Sequence, residues 1–180
     1  MFREIRTNFR KVSKERAELE RFSEEFRIRI AIDFSKNPES VKSGFQFVDS
    51  LLKNTKFNIE ISKEGADDLQ SLENVGFALG EGLRKLHEKG GKKQSSSSIR
   101  SNRKMMCMFA INLKKQLGEA NMQIIGKPKF DHEQFFAFFD GFSQGFGSEI
   151  NAVINLGKEK NHMEFLSKAF GESLEQIFSE

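Results

Sequence analysis

LQSLENVGFALGEGLRKLHEKG, residues 69–90, has the spacing of one long amphipathic helix, yet it contains glycine at positions 76, 80 and 82. Each glycine inside a helix costs about 0.5–1 kcal/mol relative to alanine. Keeping three of them indicates a neighbouring sheet or helix so close that a Cβ atom would collide with it. The alternative is a ligand that lies on the helix backbone. Gly90 and Gly91 provide a suitable end for the helix.

The composition is that of a globular protein with a phenylalanine-rich core. The chain has 180 residues, of which 37% are hydrophobic, with 20 Phe and neither Trp nor Tyr. Its 29 basic and 26 acidic side chains make a mixed surface, which gives little support to nucleic-acid binding. The single cysteine, Cys107, fits a reducing compartment, and residues 1–22 are too charged for a signal peptide. With no apolar run near the ~20 residues of a membrane span, we expect a cytoplasmic protein.

Alternating and helical periodicities follow one another along the chain. In residues 26–34 (FRIRIAIDF) every second side chain is apolar, the pattern of a half-buried strand, and residues 56–62 repeat it on a smaller scale. The remaining patterns predict helices over 40–54, 131–147 and 162–178, strands over 104–113 and 148–157, and a strand over 120–127 that forms a hairpin with 104–113. This mixture is typical of an α+β protein.

Segments of the first half recur in the second half, two of them with the same offset of 91 residues. The matching pairs are Phe45–Asp49 with Phe136–Asp140, Glu73–Leu83 with Glu164–Leu174 and, at a shorter offset, Ala31–Phe34 with Ala110–Leu113. Gly80 and Gly171 fall at equivalent positions of the two copies. Three matches in the same order predict a duplicated α+β fold, in which two β-β-α-β-α halves bury one face of each sheet under helices.

These patterns divide the chain into four parts. We expect a basic N-terminal arm over 1–22, a first α+β half over 23–91, a Ser/Lys-rich linker loop over 92–103 and a second half over 104–180. The linker lacks the earlier glycine and the Ser/Thr of a phosphate-binding P-loop, which favours a solvated connector over a phosphate site.

The N-terminal arm has the pattern of a basic amphipathic helix. Phe2, Ile5, Phe9 and Val12 share one helical face, which arginine and lysine residues flank. Such a helix packs on the domain or on a neighbouring subunit, or it binds an anionic membrane or a nucleic acid. The sequence favours the first alternative, and we predict neither a nucleic acid nor a membrane as a partner.

Four segments, in order, resemble the imidazoleglycerol-phosphate dehydratase family. Ser43–Leu52 is similar to its T-G-I-G-F-x-D-H-M-L motif, and Asp67–Gly80 to its D-D-H-H-T-V-E-D-V-G-I-A-L-G motif. Lys160–Ala169 is similar to H-H-x-x-E-A-x-F-K-A, and Arg21–Phe26 to R-x-T-x-E-T before the first strand. The resemblance extends over roughly residues 20–178 and implies a ribosomal-protein-S5-domain-2-like fold. It also implies a homo-oligomeric cage of octahedral symmetry, with manganese bound where subunits meet, that dehydrates imidazoleglycerol phosphate in histidine biosynthesis.

The departures from the family motifs concern the metal ligands. The positions of the family histidines are occupied by Ser50, Leu69, Gln70, Asn151, Lys160 and Asn161. The resemblance implies that Glu25, Glu73 and Glu164 are retained family glutamates and that Lys168 matches a lysine that binds the substrate phosphate. A metal of this kind is fixed by imidazole nitrogens, so we expect neither a metal site nor a cofactor. Manganese is expected only if the chain is still an enzyme.

The histidines and the cysteine are not expected to take part in catalysis. His87 is expected on the surface near a helix end and His132 beside an Asp131 helix cap, while His162 is a weak residual candidate for a metal ligand. Cys107 lies among methionines and Phe109 in a predicted strand, where a free cysteine usually serves packing and not catalysis.

The sequence therefore predicts a catalytically degenerate dehydratase-like protein. Its expected role is that of a non-catalytic structural or regulatory oligomer, either the family-type cage or a smaller fragment of it, with a protein partner as a further possibility. One alternative is an active or altered lyase that uses Glu25, Glu73, Glu164 and Lys168. The other is nucleic-acid or membrane-surface binding through the N-terminal arm.

Overall fold

A computed structural model describes residues 4–37, 39, 41–65, 68–114, 118–157 and 161–179. In chain order its elements are β1 (Arg6–Val12), β2 (Arg16–Phe22), β3 (Arg27–Asp33), α1 (Gln46–Leu52), β4 (Asn58–Glu64), α2 (Leu69–Gly90), β5 (Ser95–Ser101), β6 (Met106–Leu113), β7 (Glu119–Ile125), α3 (His132–Phe146), β8 (Ser148–Asn155) and α4 (His162–Phe178). Among these helices, none is long and apolar enough to cross a lipid bilayer.

The strands form two four-stranded sheets. The first sheet has the order β1-β2-β3-β4 and is antiparallel throughout, and the second has the order β5-β6-β8-β7. The prediction that β7 forms a hairpin with β6 is wrong, because β8 lies between them and pairs with β7 in parallel. The cause is α3, which connects β7 to β8 and returns the chain in the same direction.

The duplicated fold is confirmed by the element order. The series β2-β3-α1-β4-α2 corresponds to β5-β6-α3-β8-α4, and the three corresponding strands of each half are adjacent in the same order in their sheet. The extra strands lie on opposite flanks, β1 beside β2 and β7 beside β8. The sequence repeats fall on equivalent elements, since Ala31–Phe34 ends β3 where Ala110–Leu113 ends β6.

Glycines allow the helices of the two halves to pack backbone to backbone. A Cβ on Gly76 or Gly80 of α2 would overlap the carbonyl oxygen of Phe138 or Phe142 in α3. Gly171 of α4 is the counterpart of Gly80, and its Cβ would lie 2.8 Å from the carbonyl oxygen of Asn54, just after α1. The interpretation of these glycines as sites of close helix–helix approach is therefore confirmed.

Phenylalanine fills the interior between the sheets. The largest fully buried side chains include Phe109, Phe135, Phe138, Phe139, Phe142, Phe146 and Phe170. The ring centroid of Phe139 lies 5.6 Å from that of Phe109 on β6 and 5.1 Å from that of Phe170 on α4. One aromatic cluster thus joins α3 to both the second sheet and the C-terminal helix.

The part of the N-terminal segment that the structure describes, residues 4–22, is not helical, so the prediction of an amphipathic helix there is wrong. Residues 6–22 form the β1–β2 hairpin, closed by a turn in which the Ser13 N–H donates to the Arg16 carbonyl over 2.8 Å. The competing pattern has a period of two: Ala17 and Leu19 are buried, whereas Glu18 and Glu20 are only half-buried. Pairing of β2 with β3 outweighs the helical spacing of the apolar residues nearer the N-terminus.

The predicted linker loop is also wrong over residues 95–101, which form β5 and pair with β6. Polar contacts explain why a serine-rich segment is a strand here. The Ser96 and Ser98 hydroxyls donate to the carbonyls of Ser173 and Ala169 over 2.7 and 2.6 Å. These bonds attach β5 to α4, and they replace the apolar contacts that usually mark a strand.

Replacing Ser98 by alanine is expected to lower the free energy of unfolding by about 1 kcal/mol, because a buried hydrogen bond to α4 is lost. Ser97 is exposed on the other face of the same strand, so Ser97→Ala serves as the control, with an expected change within about 0.5 kcal/mol. Urea unfolding of both variants measures the difference. Equal stabilities would contradict the role given to Ser98.

Candidate functional site

All four helices begin at the same end of the molecule, here called the helix-start end. Helices α2 and α3 run in parallel, because Gly76 lies against Phe138 and Gly80, one turn later, lies against Phe142. Phe130, just before α3, joins the starts of the other two helices. Its ring centroid lies 6.4 Å from that of Phe47 in α1 and 6.5 Å from that of His162 in α4. The helix-start end therefore holds the family motifs of α1, α2 and α4.

The first turn of α2 is well formed and contains no histidine. The Asp68 carboxylate caps the helix by accepting from the Ser71 N–H over 2.7 Å, and this hydrogen bond holds the pKa of Asp68 below its usual value. Leu69 follows with 43% of its surface exposed, and Gln70 and Glu73 are also exposed. Solvent can reach these positions, yet the Leu69 side chain has only carbon atoms to offer.

The first turn of α4 contains the buried His162. Its Nδ1 accepts from the Lys129 N–H over 3.2 Å, and its ring packs edge-on against Phe130. A shallow cavity of about 350 Å³ lies beside it, lined by Lys129, Asn161, His162, Met163 and Glu164. His162 is poorly placed to bind a metal ion. Its Nδ1 already accepts a backbone hydrogen bond, and a lysine lines the cavity beside it.

Glu164 and Lys168 form an ion pair on the exposed side of α4, with Oε1 and Nζ 2.5 Å apart. The hydrogen bond from Lys168 lowers the pKa of the Glu164 carboxyl, and the charges of Lys168 and Lys53 act in the same direction. The lysine for which the resemblance implied phosphate binding is thus paired with one of the glutamates for which it implied a family role. In this arrangement each group partly neutralises the other.

The other predicted positions lie on separate elements, and Glu25 adjoins the segment that leads into α2, since a Cβ on Gly65 would lie 2.6 Å from the Glu25 carbonyl oxygen. Ser50 is half-buried on α1, and Glu25 is exposed in the turn between β2 and β3. Asn151 lies in the middle of β8 on the face of the second sheet turned away from the helices, where it pairs with Ala110 and Asn121. Lys160 lies outside the described residues. Within the described ranges, no group of three or more His, Cys, Asp or Glu residues is placed to hold a metal ion.

Arg21, which enters the sequence resemblance only as the first residue of one segment, lies largely buried under α2. The Arg21 Nε donates to Asn74 Oδ1 over 2.8 Å and Nη1 donates to Thr7 Oγ1 over 3.1 Å, while the guanidinium covers the Phe77 ring at 3.8 Å. Burial lowers the pKa of Arg21, and the carboxylates of Glu81 and Glu73 oppose that shift. Arg21 therefore connects the β1–β2 hairpin to α2, the helix that contains Glu73.

The remaining candidate groups have structural roles. The Asp131 carboxylate caps α3 by accepting from the N–H groups of Glu133 and Gln134, and His132 beside it is exposed, as predicted. His87 is half-buried, with Nε2 2.9 Å from the Lys93 carbonyl oxygen. Cys107 is fully buried on β6, and this burial raises the pKa of its thiol to about 12. The packing role predicted for Cys107 is confirmed.

We expect the Cys107 thiol to resist iodoacetamide at mildly alkaline pH in the folded chain, since the thiolate is the reacting form and its pKa is raised to about 12. The same chain in denaturant should react at the rate of an ordinary cysteine. Mass spectrometry measures the labelled fraction in both states. Labelling of the folded chain at the denatured rate would contradict the burial of this side chain.

Two solved structures share this fold. The imidazoleglycerol-phosphate dehydratase of Staphylococcus aureus superposes with a TM-score of 0.71 and 16% identity, over 90% of this chain and 97% of that chain. The Pyrococcus furiosus enzyme gives a TM-score of 0.71 and 18% identity, over 89% of this chain and 93% of that chain. No protein-family model and no curated sequence matches the chain significantly. The fold that the resemblance implied is therefore confirmed along nearly the whole length.

Proposed function

We propose that this chain is a catalytically degenerate relative of the imidazoleglycerol-phosphate dehydratases that acts as a non-catalytic structural or regulatory homo-oligomer. The shared fold and the ordered sequence motifs support the common origin. The lone buried Cys107 agrees with a cytoplasmic location. The proposal separates the scaffold, which is retained, from the metal chemistry, which is lost.

The observation that carries this proposal is the first turn of α2. Metal catalysis of the family type needs imidazole or carboxylate atoms that fix the ion and leave positions open for the substrate. Leu69 supplies no lone pair at a solvent-exposed position where the family has a histidine, and Gln70 supplies only an amide. At the start of α4, Asn161 replaces another histidine, and Lys168 binds the Glu164 carboxylate. These residues do not fit a manganese centre.

Equilibrium dialysis against manganese tests the proposal. We expect no saturable binding at micromolar manganese, because the exposed residues described at the starts of α2 and α4 include no histidine, the Asp68 carboxylate caps its helix and the Glu164 carboxylate is paired with Lys168. The Staphylococcus aureus enzyme, dialysed in parallel, serves as the positive control for the method. Stoichiometric, tightly bound manganese in this chain would overturn the proposal.

An altered lyase is the alternative that the geometry supports next. Glu73 and Glu164 are both exposed at the helix-start end, and Lys168 lies beside Glu164. If these groups act on a substrate, the variants Glu73→Gln and Glu164→Gln should lower its turnover by at least about 100-fold. Lys85→Gln, on the exposed C-terminal part of α2, is a matched control that should leave the rate unchanged.

A further inference from the structure

The edge strands of the two sheets differ in how they are kept from pairing with another chain. An exposed edge presents unpaired backbone N–H and C=O groups, which proteins usually protect with charges, irregular pairing or a covering segment. In the first sheet, β1 contains Arg6 and Arg10, and its pairing with β2 shifts register just after Phe9. The opposite edge, β4, is flanked by the segment before α1, in which the Glu39 N–H donates to the Asn58 side chain over 3.2 Å. Both edges of the first sheet are therefore protected.

In the second sheet the two edges are β5 and β7. β5 contains Arg100, which is paired with Glu172, and the hydroxyls of Ser96 and Ser98 bond it to α4. β7 (EANMQII) has a single charge, Glu119, at its start, and it pairs with β8 without any shift of register. Among the described residues, no further strand pairs with β7 on its other side. β7 is thus a regular, nearly uncharged strand with an open edge.

The hydrogen bonds to β8 show which residues of β7 direct their backbone groups to the open side. The Leu156 N–H donates to the Ile125 carbonyl over 3.0 Å, so the backbone of Ile125 faces β8. Along a strand, successive residues face opposite neighbours in the sheet, so every second residue bonds to β8. The alternate residues direct their N–H and C=O groups to the open side, and they are Ala120, Met122 and Ile124.

We propose that two copies of this chain pair through β7, as antiparallel strands related by a two-fold axis at Met122. In this register Met122 lies opposite its own counterpart, and Ala120 lies opposite Ile124 of the second copy. Each of the three resulting pairs exchanges two backbone hydrogen bonds. An axis one residue away would leave only two such pairs within the strand. The axis at Met122 therefore satisfies the most backbone groups.

The side chains of β7 match those of a second copy in the same register. The three residues with outward backbone groups are half-buried and pack against the core, so pairing continues this apolar layer across the axis. On the other face, the exposed Asn121 amide lies opposite the Gln123 amide of the second copy. The two Glu119 carboxylates lie at opposite ends of the pair and do not oppose each other. A second copy thus supplies the required alternation by symmetry, which favours it over an unrelated peptide.

A single pair of strands makes a small interface, at the low end of the range, below about 1,200 Å². We therefore expect reversible association with a dissociation constant of about 10–100 µM. The inference rests on the homo-oligomer part of the proposed function and is independent of catalytic loss.

Sedimentation velocity from micromolar to millimolar protein tests the contact. Asn121→Lys combined with Gln123→Lys places like charges opposite each other on both sides of the axis, and we expect association weaker by about 10-fold or more. Both side chains are exposed, so the variant should keep its fold. Asn8→Lys combined with Gln176→Lys is the matched control. It adds the same charge at exposed positions on β1 and α4, and its mass should equal that of the wild type.

A charge swap tests the register. Asn121→Glu combined with Gln123→Lys places opposite charges across the axis, and we expect association at least as strong as that of the wild type. Weakening as large as that of the double-lysine variant would overturn the axis at Met122. A wild-type monomer at millimolar concentration would overturn both this contact and the proposed oligomer. An oligomer whose mass the double-lysine variant leaves unchanged would overturn the contact alone and leave the proposed oligomer standing.

Discussion

Replacing Gly76 by alanine is expected to lower the free energy of unfolding by about 3 kcal/mol, with a melting temperature lower by roughly 6–12 °C. In an isolated helix the same change would be stabilising by up to about 1 kcal/mol. The sign reverses here because the new Cβ would overlap the carbonyl oxygen of Phe138 and would lie 3.0 Å from the Phe142 nitrogen. Both atoms belong to the backbone of α3, which cannot move aside as a side chain can. Thermal unfolding followed by circular dichroism measures the shift.

Gly90 provides the matched control in the same helix. It is the last residue of α2, and its Cβ would meet only Lys14, at an ordinary distance of 3.6 Å. Gly90→Ala should leave stability unchanged or raise it by up to about 1 kcal/mol. Equal effects at the two positions would mean that helix propensity, and not contact with α3, determines the role of glycine in α2.

Replacing Phe139 by alanine is expected to lower the free energy of unfolding by about 3–5 kcal/mol. Its ring is fully buried and contacts Phe109 on β6, Phe135 on α3 and Phe170 on α4, with centroids 5.6, 4.8 and 5.1 Å away. Removing the ring leaves a cavity in the cluster that joins α3 to the sheet and to α4. Denaturant unfolding is the measurement.

Phe136, three residues earlier on α3, is the control for this loss. It is 37% exposed, and its ring contact is with Phe135. Phe136→Ala should cost less than about 1 kcal/mol, because little apolar surface leaves a buried site. A loss as large as that of Phe139→Ala would contradict the assignment of the aromatic cluster as the centre of the core.

The sequence was sufficient for the duplicated fold because the repeat fixed equivalent positions in the two halves. Gly80 and Gly171 predicted close approach of another element, and a Cβ on either would meet backbone of the other half, in α3 for Gly80 and in the turn after α1 for Gly171. The alternation in residues 26–34 predicted β3 for a similar reason, since Ile28, Ile30 and Ile32 all point into the core.

Prediction failed where hydrogen bonds or long-range pairing replaced apolar contacts. β5 is a serine strand, held by the bonds of Ser96 and Ser98 to α4, and no hydrophobic pattern marks it. β1 and β2 were not predicted as strands, because the apolar residues near the N-terminus also fit one face of a helix. The pairing of β7 with β8 depends on the path of α3, which local periodicity does not contain.

The candidate site was predictable in its parts but not in its contacts. The motif positions at the starts of α2 and α4 followed from the resemblance, and both lie at the helix-start end. The bond between Glu164 and Lys168 required the structure, as did the burial of His162 against Lys129 and Phe130. These contacts are made by side-chain rotamers, which residue types alone do not determine.

Turnover of imidazoleglycerol phosphate in the presence of added manganese tests the central claim most directly. The purified 180-residue chain is incubated with substrate and manganese, and the dehydrated product is followed beside the Staphylococcus aureus enzyme. We expect no rate above that of the buffer, because the resemblance places Leu69, Gln70 and Asn161 at the positions of the family's metal-binding histidines. A manganese-dependent rate that falls with Glu73→Gln and Glu164→Gln would contradict it.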